Sequence, residues 1–149
     1  MSTQYHIGME INVLSNLIHR EIDSYVSKNS PNFIDENITA INGHVIGFLY
    51  MNSDKDIFQR DIEELLQIRR STASTLLQGM EAKGLIRREP VAFDARLKKL
   101  VLTEKSIAAH KQIATNISSF ENKLTKDILE EELKTIFQVI NKIKNNLTK

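Results

Sequence analysis

Apolar residues recur three and four apart along most of this chain, the spacing that gathers them on one face of an α-helix. Ile7, Ile11, Leu14, Ile18, Ile22 and Tyr25 form the first such stripe. It lies on a helix expected to end at Asn29-Ser30-Pro31, because Pro31 lacks a backbone donor and disfavours helix at the residue before it. A second helix is expected over 39–52, with Ile41, Val45, Phe48 and Leu49 as its buried face, and residues 52–55 read as a polar turn. Asp56 and Gln59 have the spacing of a capping box, so a third helix should run from there to about residue 66. A fourth is expected over 70–83 and stops at Gly84, a natural left-handed terminator.

The period then shortens. Residues 85–89 and 98–102 read as two short strands joined by a polar loop that contains Pro90 and Asp94. Thr103 can cap a long fifth helix with Ile107, Ile113, Ile117 and Phe120 along it. Beyond it Leu129, Leu133, Ile136, Ile140, Ile143 and Leu147 alternate four and three apart without a slip, a heptad seam. A last helix packing only onto its own domain would not need so regular a 3.5-residue repeat, and we expect the seam to meet another chain. An ordinary intrachain stripe is the alternative. The 149 residues make one ordinary domain, or a small one with appended helices.

Charge sharpens this outline. The chain as a whole carries +1, which by itself suggests no preference for a polyanion. From Arg69 to Lys99, however, eight basic residues stand against three acidic ones, a local +5 that leaves −4 for the remainder. Within residues 56–102 a short helix, a tight break, a second helix and a basic hairpin follow in order, a sequence of parts that suits a DNA-reading module. The first turns of an inserted helix usually do the reading in the major groove. Here they offer Arg69, Arg70, Ser71, Thr72, Ser74 and Thr75, with Gln78 a turn further on, donors suited to phosphates and base edges alike. Ala73, Leu76, Leu77 and Met80 supply the opposite, buried face. The hairpin adds Arg87, Arg96, Lys98 and Lys99, and an arginine at its tip can enter the narrow, electronegative minor groove. Asp94, two residues before Arg96, can orient that guanidinium or fix the turn. A solvated loop whose Asp and Arg merely suit a turn is the bland alternative.

Taken together, Ile38-Thr39, the 61–68 segment, Arg70-Ser71-Thr72-Ala73-Ser74, Gly84-Leu85-Ile86-Arg87-Arg88, Asp94-Ala95-Arg96 and Leu102-Thr103-Glu104-Lys105 resemble the MarR family of bacterial transcription regulators. The resemblance implies a mainly α fold with a small β-wing: a winged helix-turn-helix flanked by N- and C-terminal dimerisation helices. Its division would be 1–36 for the first dimerisation helix and loop, 37–102 for the DNA-binding domain, and 103–149 for the long helix and the C-terminal dimerisation helix. It further implies a homodimer on a palindromic double-stranded operator, acting as a repressor released by a small ligand, with Arg96 in the minor groove and Asp94 supporting it. Four positions depart from the family's pattern. Gln67 stands where a Gly usually makes the turn, Arg69 where a Ser usually caps the reading helix, Ser106 where a Gly is common, and Asn42 where a Gln is frequent.

Other functions fit less well. The five glycines are scattered, so no phosphate loop exists, and no Ser sits in a nucleophile motif; an enzyme is not expected. The absence of cysteine excludes disulfides and thiol-based sensing. No signal peptide or bilayer-length apolar run is visible, and the chain reads as cytoplasmic. No cofactor is called for. A zinc-responsive regulator of the same fold would draw on His19, His44 and His110, on helices the family brings near one another, with Glu10 or Glu21 as oxygen ligands. Isolated histidines are more often ordinary surface or core residues, and no metal site is assigned. A helical dimer that binds protein is a third class, against which the local +5 argues. The ligand-binding residues stay unassigned: a pocket between dimer helices and winged domain is implied by resemblance alone, and Tyr5, Met9 and His19 are not separable there from core packing.

Overall fold

The order of elements in the computed structural model, which describes residues 6–29 and 38–149, is six helices interrupted by one hairpin. They are α1 (Ile7–Asn29), α2 (Ala40–Met51), α3 (Gln59–Leu66), α4 (Arg70–Ala82), β1 (Ile86–Val91), β2 (Asp94–Leu102), α5 (Glu104–Leu124) and α6 (Glu130–Leu147). By internal contacts the chain divides into Met1–Asn116 and Ile117–Lys149, a break inside α5. Tyr5, Ser30 and Pro31, and the side chains of Tyr25, Ile113 and Ile117, lie outside the described residues.

The core of the first unit gathers residues distant in sequence: Val45, Ile46 and Leu49 of α2, Ile57, Ile62 of α3, Leu77 and Met80 of α4, and Leu85, Ile86 and Leu100 of the hairpin. Ile41, expected among them, is exposed instead, while Ile46 takes its place. Apolar residues occur nearly all round α2, so periodicity alone cannot choose its buried face. At its start Thr39 and Asn42 close a reciprocal capping box: the Asn42 amide donates to Thr39 Oγ1 at 3.2 Å and the Thr39 amide to Asn42 Oδ1 at 3.3 Å. Asn42 is buried and also receives Lys83 Nζ at 3.3 Å, which ties the start of α2 to the end of α4.

The third helix begins later than its sequence suggests. The Phe58 amide donates to Asp61 Oδ2 at 2.8 Å, so the cap sits two residues beyond Asp56. The cause is tertiary. Ile57 is buried, and its carbonyl accepts the Leu100 amide at 2.7 Å, which keeps this stretch extended against β2.

Helices α3 and α4 both end in Schellman motifs. Around Gly84 (φ 71°) the Leu85 amide reaches Met80 O at 2.9 Å and the Gly84 amide reaches Glu81 O at 3.0 Å. The same bonds recur where Ile68 reaches Glu63 O at 3.1 Å and Gln67 reaches Glu64 O at 3.4 Å, but there the left-handed residue is Gln67, φ 53° and ψ 47°. A side chain in that region costs on the order of 1 kcal/mol; Gln67 Nε2 offsets part of it by donating to Glu64 O at 2.7 Å.

The strands pair antiparallel, Ile86 opposite Leu102 through Pro90 opposite Lys98, then slip so that Val91 faces Asp94. Both strands are longer than expected, and Pro90 and Asp94 lie in them rather than in the joining loop, which shrinks to Ala92 and Phe93. At the start of α5, Ser106 is fully buried and completes a capping box with Thr103, through bonds of 3.0 and 3.2 Å. Thr103 Oγ1 and Lys105 Nζ also donate to the carbonyls of Gly84 (2.6 Å) and Lys83 (3.1 Å), satisfying acceptors left over at the end of α4.

α6 buries none of its residues within the chain. Ile136, Phe137, Val139, Ile140 and Leu147 are all exposed, as are Leu129 just before it and Ile7, Met9, Ile11, Leu14 and Leu17 of α1. Among the described residues no helix is long and apolar enough to cross a membrane.

Candidate nucleic-acid interface

Helix α4 divides cleanly. Ala73, Leu77 and Met80 are fully buried, and Leu76 packs partly against the same core. Arg70, Ser71, Thr72, Thr75 and Gln78 are exposed on the other side, and Ser74 is half-buried between them. The cap residue, Arg69, is extended (φ −73°, ψ 155°), exposed, and makes no side-chain cap bond. The first amides of α4 therefore keep their hydrogen-bonding capacity and the positive end of the helix dipole, both favourable beside an anion.

Ser74 is held by Gln59, a residue whose sequence spacing suggests only a capping-box amide for Asp56. Gln59 Nε2, in the first turn of α3, donates to Ser74 Oγ at 2.9 Å and to Arg70 O at 3.4 Å. Its Oε1 accepts Arg88 from β1 at 3.5 Å, and Arg88 also pairs with Glu81 of α4 at 3.0 Å. One amide thus joins α3, α4 and the hairpin. These partners lie 15 and 29 residues from Gln59, beyond the reach of any local motif.

The hairpin holds its cation in a set way. Asp94 Oδ1 accepts both the Arg96 amide at 2.9 Å and Arg96 Nε at 3.3 Å, so Asp94 fixes the turn and orients the guanidinium at once. The Arg96 side chain is nonetheless 91% exposed. Arg87 is exposed and paired loosely with Glu89 at 3.4 Å, and Lys98 is exposed. Lys99 differs: it is half-buried, with its ammonium 3.5 Å from Asp56. The turn residue Phe93 is 71% exposed.

The three histidines His19, His44 and His110 form no common metal site among the described residues. His19 Nδ1 lies 2.7 Å from Ser15 O, one turn back on α1, His44 is exposed, and the His110 ring lies 4.3 Å from that of Tyr50. Among the described residues no three side chains of His, Cys, Asp or Glu converge as a metal site. Met9 and His19 are exposed rather than packed in this chain's core, and Tyr5 lies outside the described residues.

Residues 36–97 match the sequence model of the MarR family. Among solved structures, heme-free PefR is 29% identical with a TM-score of 0.73, covering 93% of this chain and 97% of its own. PefR from Streptococcus agalactiae has also been solved with heme bound, as a heme sensor protein. The transcription regulator MarR from Oenococcus oeni is 27% identical with a TM-score of 0.78, covering 93% of this chain and 98% of that one. A mutant of MepR from S. aureus, bound to an oligodeoxyribonucleotide, is 26% identical with a TM-score of 0.58, covering 97% and 100%. The fold of this chain, mainly helical with a two-stranded antiparallel wing, matches that of the Oenococcus oeni regulator.

Proposed function

We propose that the chain, whose residues 36–97 match the MarR family model, is a transcription regulator of that family and not an enzyme, and that it binds a palindromic double-stranded operator as a homodimer. The observation that carries the reading is the state of α4: one face in the core, the other presenting Arg70, Ser71, Thr72, Thr75 and Gln78 from a helix end without a side-chain cap. In this reading the first turns of α4 enter the major groove, with Arg69 and Ser74 beside them. Arg96, braced by Asp94, enters the adjacent minor groove, and Arg87, Lys98 and Lys99 face the sugar-phosphate backbone. A cation held in place but still exposed suits that role, because little ordering entropy remains to be lost on binding.

Residues 37–102 then read DNA, and 1–36 with 103–149 pair two copies. The largely exposed heptad of α6 and the exposed stripe of α1 support the pairing, since so much apolar surface on long helices calls for a partner. Two copies set the reading helices roughly 34 to 36 Å apart, one turn of the duplex. The working role is repression in the cytoplasm, released when a small ligand shifts the dimer away from the operator-bound arrangement. PefR was solved with heme, so hemin belongs in any effector screen.

The test is selection from random duplex DNA with the full chain, followed by footprinting and measurement of mass in solution. The expected result is a palindromic site bound by two copies. A single asymmetric half-site bound by a monomer would overturn the reading.

A further inference from the structure

The residues that join the two strands pose a question that neither turn chemistry nor packing answers. A two-residue hairpin turn favours Gly, Asn or Asp, because the turns that match strand twist need positive φ. This one is built from Ala92 and Phe93, and neither has positive φ. The core does not claim the ring either: Val91, two residues earlier, is buried, whereas Phe93 stands 71% exposed. One exposed hydrophobe is ordinary. The company of this one is not, for Arg96 at 91% exposure and Leu97 at 40% share the same hairpin end, opposite the slip in register after Pro90. The tip therefore presents an apolar ring beside a braced cation.

That pairing matches the minor groove, whose floor is electronegative and whose walls are the C–H surfaces of deoxyribose. Apolar side chains of minor-groove proteins pack there and against base steps. We propose that Phe93 is a DNA-contacting residue, its ring lying on the sugar wall of the minor groove beside the Arg96 guanidinium. The inference rests on the operator-binding reading above. It gives the tip two separable contributions, one ionic and one apolar. Only the ionic one releases counterions and depends on salt.

The experiment compares the parent chain with Phe93→Ala, Phe93→Leu and Arg96→Ala on a duplex selected by the parent from random DNA, titrated across salt concentrations. Phe93→Ala should weaken binding about tenfold, the order expected for partial burial of a ring, with the slope against salt unchanged. Phe93→Leu should recover most of the loss. Arg96→Ala should lower the slope by about one unit. Hydroxyl-radical cleavage, which attacks the sugars, should show protection at the outer flank of each half-site that vanishes in Phe93→Ala. Since the ring is exposed, its removal should leave the melting temperature unchanged. Phe93→Ala binding as tightly as the parent, with the same protection, would overturn the inference while leaving operator binding intact. Loss of self-association in Phe93→Ala would overturn it too, by making the tip a protein contact. If the parent binds no duplex in a salt-dependent way, the operator reading itself fails.

Discussion

Helices α4 and α6 carry similar apolar stripes and meet opposite fates. In α4, Ala73, Leu77 and Met80 are fully buried, the last two in a core shared with α2, α3 and the hairpin. In α6, five large apolar residues are exposed and none is buried. A stripe states that a face seeks cover; it does not state whose. The regularity of the α6 repeat, 3.5 residues rather than 3.6, is the feature that separates the two, because it suits a second helix running alongside over many turns.

The widest separation between the regions should come from paired substitutions. Leu77→Ala removes fully buried methyl groups from the core and should cost about 2–5 kcal/mol, read as a fall in the denaturation midpoint. Ile136→Glu places a charge on the exposed seam. It should leave the helical content intact while weakening self-association by about a hundredfold or more, since a carboxylate buried between two copies lacks a partner. Sedimentation of the variant over a range of concentrations reads this directly. If Ile136→Glu self-associated just as the parent does and Leu77→Ala melted like the parent, the contrast between the two helices would collapse.

The contrast between local and distant causes also explains what could be read from the chain alone. The ends of α4, α2 and α6 follow from Gly84, Thr39 and the heptad, each a local signal. The start of α3 does not, because Asp56 to Gln59 and Phe58 to Asp61 offer the same spacing. The choice between them is made by the Ile57 carbonyl accepting from Leu100, 43 residues away in number. A shorter hairpin is the expectation from sequence, since Pro90 cannot donate; in a two-stranded sheet each strand is an edge, where a missing donor costs little. At the site, the brace between Asp94 and Arg96 is legible because its partners are two residues apart. The Gln59 link to Ser74 and Arg88 is not, because only folding makes them neighbours.

That link gives the next prediction. Gln59→Ala removes the amide that holds Ser74 and receives Arg88, and should weaken operator binding about fivefold to tenfold, the worth of about one hydrogen bond to the arrangement. Gln59→Glu is the sharper probe, because it keeps an acceptor for Arg88 and loses the donor to Ser74. A melting temperature that fell without any change in affinity would reduce Gln59 to a purely structural tie.

A smaller effect distinguishes the two lysines of β2. Lys98 is exposed, so Lys98→Ala should lower the salt slope of DNA binding by about one unit. Lys99 is half-buried beside Asp56, so Lys99→Ala should change the slope less. Equal slopes for the two variants would show that the pair with Asp56 opens on binding.

The smallest effect concerns the turn between α3 and α4. Gln67 and Gly84 occupy the same position in the same motif, but Gln67 bears a side chain at φ 53°. Gln67→Gly relieves that strain of about 1 kcal/mol, and gives back part of it through the looser unfolded chain and the lost bond to Glu64 O. The net gain should be about 0.5 kcal/mol, seen as a slightly higher denaturation midpoint with an unchanged slope. The reverse change at the matching position, Gly84→Gln, should destabilise by about 0.5–1 kcal/mol, for there no neighbour lies near the added Cβ, and backbone strain less the gain from a stiffer unfolded chain sets the cost. Opposite signs at the two positions would show that the motif, not its particular sequence, governs both turns. If Gln67→Gly instead destabilised, the Gln67 Nε2 bond to Glu64 O would outweigh the strain, and the departure from glycine would be an added brace on the approach to α4.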